Sequence, residues 1–197
     1  MTTPKTLQKR YLKNIRLANP KPDDTILVTS LNNHQSYTTL KLTLQIETQY
    51  NTKIHTLHLG PPPPPPLKQL TQQTTLLAHI PNPPKTYTQL KLQTLTHAQT
   101  LQDPLIILPL AAEDIAIYML QELLNTNLAG LQLDTTYRTA YPLATTTLQE
   151  LRKLDPTPLP ATTLQGPAQQ LLQQLQTKIT PTATAKTYLQ LLATTQT

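Results

Sequence analysis

Thr25-Ile26-Leu27-Val28-Thr29-Ser30, followed by Leu31-Asn32-Asn33-His34-Gln35-Ser36, is the stretch on which the fold turns. Its first half is a short apolar run, as expected of a strand buried on both faces. Asp23-Asp24 ahead of it are turn residues, and the second half is a polar loop. From Ser36 to Tyr50 the chain continues without Gly or Pro. Leu40, Leu42, Leu44 and Ile46 alternate as in a strand, whereas Tyr37, Leu40 and Leu44 recur as in a helix. Length decides for the helix, because a typical strand has about 5–6 residues.

This strand–loop–helix unit recurs downstream. Lys53 to Leu59 predicts a second strand, ended by Gly60 and by Pro61 to Pro66. Six prolines predict a stiff polyproline II spacer of roughly 19 Å. Leu67 to His79 then reads as a helix, with Leu70, Leu77 and Ile80 turned inward, broken by Pro81-Asn82-Pro83-Pro84. Thr86 to Leu101 is a further helix, and Pro104 to Leu108 a third buried strand. Ala112 to Leu124 is a strong helix whose first turn holds Glu113 and Asp114, at the positive end of its dipole. Arg138 to Leu143 predicts a fourth strand. Thr147-x-x-Glu150 is a capping box ahead of Leu148, Leu151 and Leu154. Pro167 and Pro181 each open a C-terminal helix.

Upstream, residues 4–17 form a helix bearing Lys5, Lys9, Arg10, Lys13 and Arg16 with no acid. Lys5, Lys9, Lys13 and Arg16 fall on one stripe, with Leu7, Tyr11, Leu12 and Ile15 on another face. Asn19-Pro20-Lys21-Pro22 ends it, since a residue before Pro avoids the helical region. The whole chain therefore predicts an α/β fold: a parallel sheet with helices on both faces, Rossmann-like, plus C-terminal helices. The expected division is a basic N-terminal helix over 1–22, an α/β domain over 23–155 with a polyproline linker at 60–66, and a helical region over 156–197. Ligands of such sheets bind outside the carboxyl ends of the strands. That points to the loops after Thr29, Leu59, Leu108 and Leu143.

Composition narrows the function. The 197 residues carry 16 basic and 10 acidic side chains, a net charge of +6. There is no Cys, Trp or Phe, and there are only 3 Gly. Absent Cys rules out a disulfide framework, a zinc ribbon and a Cys nucleophile. Leu, Thr, Gln and Pro make up about 60 % of the chain, far from ordinary usage. Residues whose codons are rich in G or T are the missing ones, so nucleotide bias accounts for the skew. The periodic placement of Leu and Ile argues for a folded chain rather than disorder. No apolar run approaches a membrane span and no signal-peptide core is seen, which predicts a cytosolic protein without membrane contact.

The basic stripe suits phosphate contacts along an RNA backbone, and equally a solvated helix face. With Tyr as the sole aromatic, RNA binding would follow shape and backbone rather than bases. Glu113 and Asp114 suit Mg²⁺ with a nucleotide, or a plain helix start. His55 and His58, three apart on a strand, point to opposite faces and do not make a metal pair. The loop 31–36 has no Gly and no Lys with which to cradle a phosphate.

Several segments resemble the PP-loop ATPases. Ile26 to Ser36 is similar to their first strand and Ser-Gly-Gly-x-Asp-Ser loop, with Ser36 matching and Leu31, Asn32, Asn33 and Gln35 departing. Pro109-Leu110-Ala111-Ala112-Glu113-Asp114 resembles the family's Gly-His-Asn-x-Asp-Asp segment and keeps acids at Glu113 and Asp114. Tyr141-Pro142-Leu143 with Glu150 is similar to the Pro-Leu-Arg … Glu segment. Leu171 to Thr184 resembles the Leu-x-x-Leu-Glu … Pro-x-Thr tail of the cytoplasmic tRNA 2-thiolation proteins. Together these cover residues 5–192 in order. The resemblance implies one subunit of a pair that thiolates the wobble uridine of tRNA. An active homologue would adenylate the base and deliver sulfur. This chain would then be its non-catalytic partner in a heterodimer, not itself an enzyme, helping assembly and tRNA binding. Asn32, Asn33, His34, Ser36, Glu113 and Asp114 would be a vestigial ATP site with no catalytic or metal-binding residue. Lys5, Lys9, Arg10, Lys13 and Arg16 would contact tRNA. The hexaproline would stand where relatives carry a cysteine-bearing region. The alternatives are a divergent ATP-binding, adenylating enzyme acting on tRNA through Asn32, Asn33, Ser36, Glu113 and Asp114, and a scaffold with no RNA role.

Overall fold

The computed structural model describes residues 3–47, 50, 52–124, 133–134, 136–154, 157–160, 163–164, 167–175 and 179–195. Five strands form one sheet: β1 Thr25–Ser30, β2 Lys53–Leu59, β3 Thr75–Ile80, β4 Leu105–Ile107 and β5 Thr139–Ala140. Their order is β3-β2-β1-β4-β5, and every pairing is parallel. The helices are α1 Pro4–Arg16, α2 His34–Glu47, α3 Pro65–Thr71, α4 Tyr87–Ala98, α5 Ala112–Leu124, α6 Leu148–Leu154, α7 Pro167–Leu175 and α8 Pro181–Thr195. The expected α/β architecture is the one found.

Strand side chains alternate between faces, and two cores follow from it. Leu27, Leu57 and Ile106 point into a core completed by α4, α5, α7 and α8. Ile26, Val28, Ile54 and Ile107 point into the opposite one, completed by α1, α2, α3 and α6. Tyr11 of α1 is fully buried there and bonds Thr43 at 2.5 Å.

Two expectations fail around the prolines. The spacer is shorter than six residues, because Pro65 and Pro66 already lie in α3. Proline's fixed φ suits a first helical turn, where its missing N–H is not needed. The helix expected over 67–79 ends at Thr71, and Thr75–Ile80 is instead the edge strand β3. The hydroxyls of Thr71 and Thr74 donate back to the carbonyls of Lys68 and Thr71, which closes the helix. Gly60, at φ +120, turns the chain off β2, and its N–H donates to Ile80 O at 2.7 Å. A residue with a Cβ would be strained in that conformation.

A charged hub sits within the first core. Lys91 of α4 donates to Asp134 at 2.5 Å, and each side chain is 2 % exposed. Lys91 also donates to the hydroxyls of Tyr118 and Tyr188, and lies 4.3 Å over the Tyr118 ring. Tyr141 and Tyr188 donate to Asp134. Burial depresses the Lys91 ammonium to about 8, against the pull of Asp134. No sequence pattern singles out this cluster, because its members stand far apart in the chain.

Candidate functional site

The loop between β1 and α2 lies at the carboxyl end of the sheet, where this architecture places ligands. Its polar groups are turned on one another. The Leu31 N–H donates to Ser36 Oγ at 2.8 Å, the Ser36 N–H to Asn33 Oδ1 at 2.9 Å, and the Asn33 N–H to Leu31 O at 2.8 Å. The His34 N–H donates to Pro160 O at 3.0 Å. Asn32 Nδ2 donates to the carbonyls of Pro61 and Pro62 at 2.9 and 3.3 Å. The start of the proline run thus closes over the loop. His58 holds it from below: Nε2 donates to Pro61 O at 2.8 Å, while Nδ1 accepts from Ser30. Burial pushes the His58 ring below its ordinary value, which suits this neutral tautomer.

A triphosphate needs free N–H donors. Those of Leu31, Asn33, His34 and Ser36 are spent inside the protein. Asn32 Oδ1 is buried without a partner, but an oxygen acceptor has the wrong polarity for a phosphate. As built, the loop does not fit a nucleotide triphosphate.

Glu113 and Asp114 begin α5 beside this loop and do different work. Asp114 is buried and accepts from the Ala111 N–H at 2.8 Å, Gln35 Nε2 at 3.2 Å and the Tyr87 hydroxyl at 2.6 Å. Burial raises its carboxyl to about 6 despite these donors. Glu113 accepts from the Leu148 N–H at 3.0 Å and so caps α6. Its carboxyl is also raised by burial. Gln35 and Tyr87, which sequence patterns did not mark, join the six expected residues here. Tyr87 in turn accepts from the Leu164 N–H at 3.0 Å.

The basic helix is a separate region. Thr3 caps α1 by accepting from the Thr6 N–H at 3.2 Å. Lys5, Lys9, Lys13 and Arg16 are exposed, whereas Arg10 turns inward to Glu150 at 3.0 Å. Glu150 closes the expected capping box, accepting from the Thr147 N–H while Thr147 Oγ1 accepts from the Glu150 N–H. Beyond Lys13, an open cleft of about 730 Å³ separates α1 from α8.

No protein-family model matches the chain, and no curated protein matches it. Among solved structures, the U34-tRNA thiolase NcsA from Methanococcus maripaludis, described with its 4Fe-4S cluster, is similar. The TM-score is 0.61 at 10 % identity, covering 95 % of this chain and 79 % of that one. This chain has no Cys, and among the described residues no three His, Cys, Asp or Glu are grouped to hold a metal. Its side chains therefore do not fit such a cluster. Among the described residues no helix is long and apolar enough to cross a membrane. The match corrects one expectation, that the chain is not an enzyme: the fold it shares is that of an enzyme, a tRNA thiolase. Five parallel strands between two layers of helices give this chain the α/β fold of a U34-tRNA thiolase.

Proposed function

We propose that the chain is a working component of a tRNA-modifying enzyme of the wobble-uridine thiolase kind. It binds the tRNA backbone through α1 and assembles with a homologous chain. The observation that carries this reading is the row of exposed cations Lys5, Lys9, Lys13 and Arg16 on one helix of a thiolase-like fold. None of the four has an acidic partner nearer than 4 Å among the described residues. Cations left free in this way gain most from phosphate, through released counterions. The assembly is supported by the β1–α2 loop: with the N–H groups of Leu31, Asn33, His34 and Ser36 donating within the protein, a second, glycine-loop-bearing chain would supply the phosphate cradle.

The test is tRNA binding by Lys9→Glu with Lys13→Glu. Affinity at low salt is expected to fall by about tenfold or more, and the salt slope by about two. Both residues are exposed, so the circular dichroism spectrum should not change. Arg10→Glu is the unsuitable variant, because it breaks the contact with Glu150. Unchanged affinity at low salt overturns the RNA-binding role. Failure to co-purify with any homologue bearing a glycine loop overturns the assembly. Calorimetry with ATP and Mg²⁺ separates this reading from one in which the loop itself holds the nucleotide.

A further inference from the structure

A cleft of about 730 Å³ lies between α1, the 145–150 turn and α8, and the β1–α2 site makes no use of it. We propose that it binds a nucleoside monophosphate unit, with the phosphate between Lys13 and Lys186 and the nucleoside on an apolar floor. The proposal goes beyond the tRNA-backbone reading and does not need a folded tRNA.

Two helix faces confront each other here. α1 contributes Lys13, with its C-cap residue Leu17 four positions on, and α8 contributes Lys186, Leu189 and Ala193 at the same helical period. The charges sort themselves by partner. Arg10 is spent on one oxygen of Glu150, and the other oxygen accepts from the Thr147 N–H. Lys13 and Lys186 are exposed at the rim and form no ion pair among the described residues. The lining of the cleft therefore keeps an excess of positive charge, carried by Lys13 and Lys186. Its floor is apolar: Leu189 is buried, and Leu17 is 41 % exposed into the opening.

A fitting ligand joins one or two negative charges to a body with apolar faces and hydrogen-bonding edges. A nucleotide has that make-up, and Thr182 and Gln190 supply polar groups at the edge. The volume, about 730 Å³, is more than an inorganic anion needs and lies within the roughly 300–1,000 Å³ of small-molecule sites.

The experiment titrates the full chain with uridine 5′-monophosphate and adenosine 5′-monophosphate while amide shifts along α8 are followed. Inorganic phosphate, uridine and a 5′-phosphorylated trinucleotide are separate arms. Both mononucleotides are expected to shift residues 182–193, with phosphate or uridine alone about tenfold weaker. Lys186→Gln should weaken binding about fivefold. Ala193→Phe should fill the floor and abolish it, with the fold intact. A trinucleotide that binds more tightly than the monomers at the same residues supports the site and identifies an RNA strand as the source; equal affinity supports it and identifies the free nucleotide. No shift at about 10 mM nucleotide, phosphate binding as well as nucleotide does, or an unaffected Lys186→Gln overturns the proposal. Since Lys186 lies outside the α1 row, tRNA binding that survives Lys186→Gln leaves the proposed function standing when this site fails.

Discussion

A protein with neither Phe nor Trp must build its aromatic core from Tyr, and each buried Tyr brings a hydroxyl that needs a partner. Tyr118, Tyr141 and Tyr188 meet edge to face, with Tyr188 5.8 and 5.7 Å from the other two ring centres. Their hydroxyls converge on Lys91 and Asp134, which are too deep to be hydrated. Breaking such a pair leaves a buried charge without its counterion. Lys91→Met is therefore expected to cost about 3–5 kcal/mol in urea denaturation; a loss below about 1 kcal/mol would show that the phenols alone satisfy Asp134. Asp114 is the second residue of this sort. Asp114→Ala strands the Ala111 N–H, Gln35 and the Tyr87 hydroxyl. About 3 kcal/mol should be lost, measurable in the same denaturation series.

Among the elements, burial decides what a substitution costs. Leu57 of β2 is fully buried, whereas Leu76 of the edge strand β3 is 54 % exposed. Leu57→Ala is expected to cost about 2–5 kcal/mol, and Leu76→Lys about 0.5 kcal/mol or less, by thermal or urea melts. The same contrast explains what the sequence made legible. β1 and β4 are short apolar runs bounded by turn residues, β2 carries Ile54, Leu57 and Leu59 ahead of Gly60 and the prolines, and Thr147-x-x-Glu150 is a local signal with a local cause. All four can be read along the chain. β3 could not, because Leu70, Leu77 and Ile80 also fit a helical face and an edge strand carries no double-sided apolar signature. The short run after Thr74 and the prolines at 81–84 were the available hints. In the candidate site, the loop residues and Glu113 and Asp114 were visible from their positions after strands. Gln35, Tyr87 and Lys186 were not, since their roles depend on partners far away in sequence.

For the molecule as a whole, the alkaline side of the pH dependence of stability follows from the buried Tyr and Lys groups. Burial raises the phenols of Tyr11, Tyr87, Tyr118, Tyr141 and Tyr188 above their ordinary value. The folded chain then keeps protons that the unfolded chain releases above about pH 10, so stability falls as pH rises past that point. Lys91 acts in the opposite sense. Its folded value of about 8 means that the unfolded chain binds more protons between about pH 8 and 10, and stability climbs there. Melting temperature against pH should show a shallow rise before a steep alkaline fall. A monotonic decline from pH 7 would count against a Lys91 that gives up its proton near pH 8 in the folded chain. The last helix belongs to the same interior: Tyr188 reaches Asp134, and Leu189 and Leu192 pack beside Leu172 and Ile115. A truncated version ending at Thr180 would thus lack one wall of its interior, and its expected fate in an expression host is the insoluble pellet rather than the clarified supernatant.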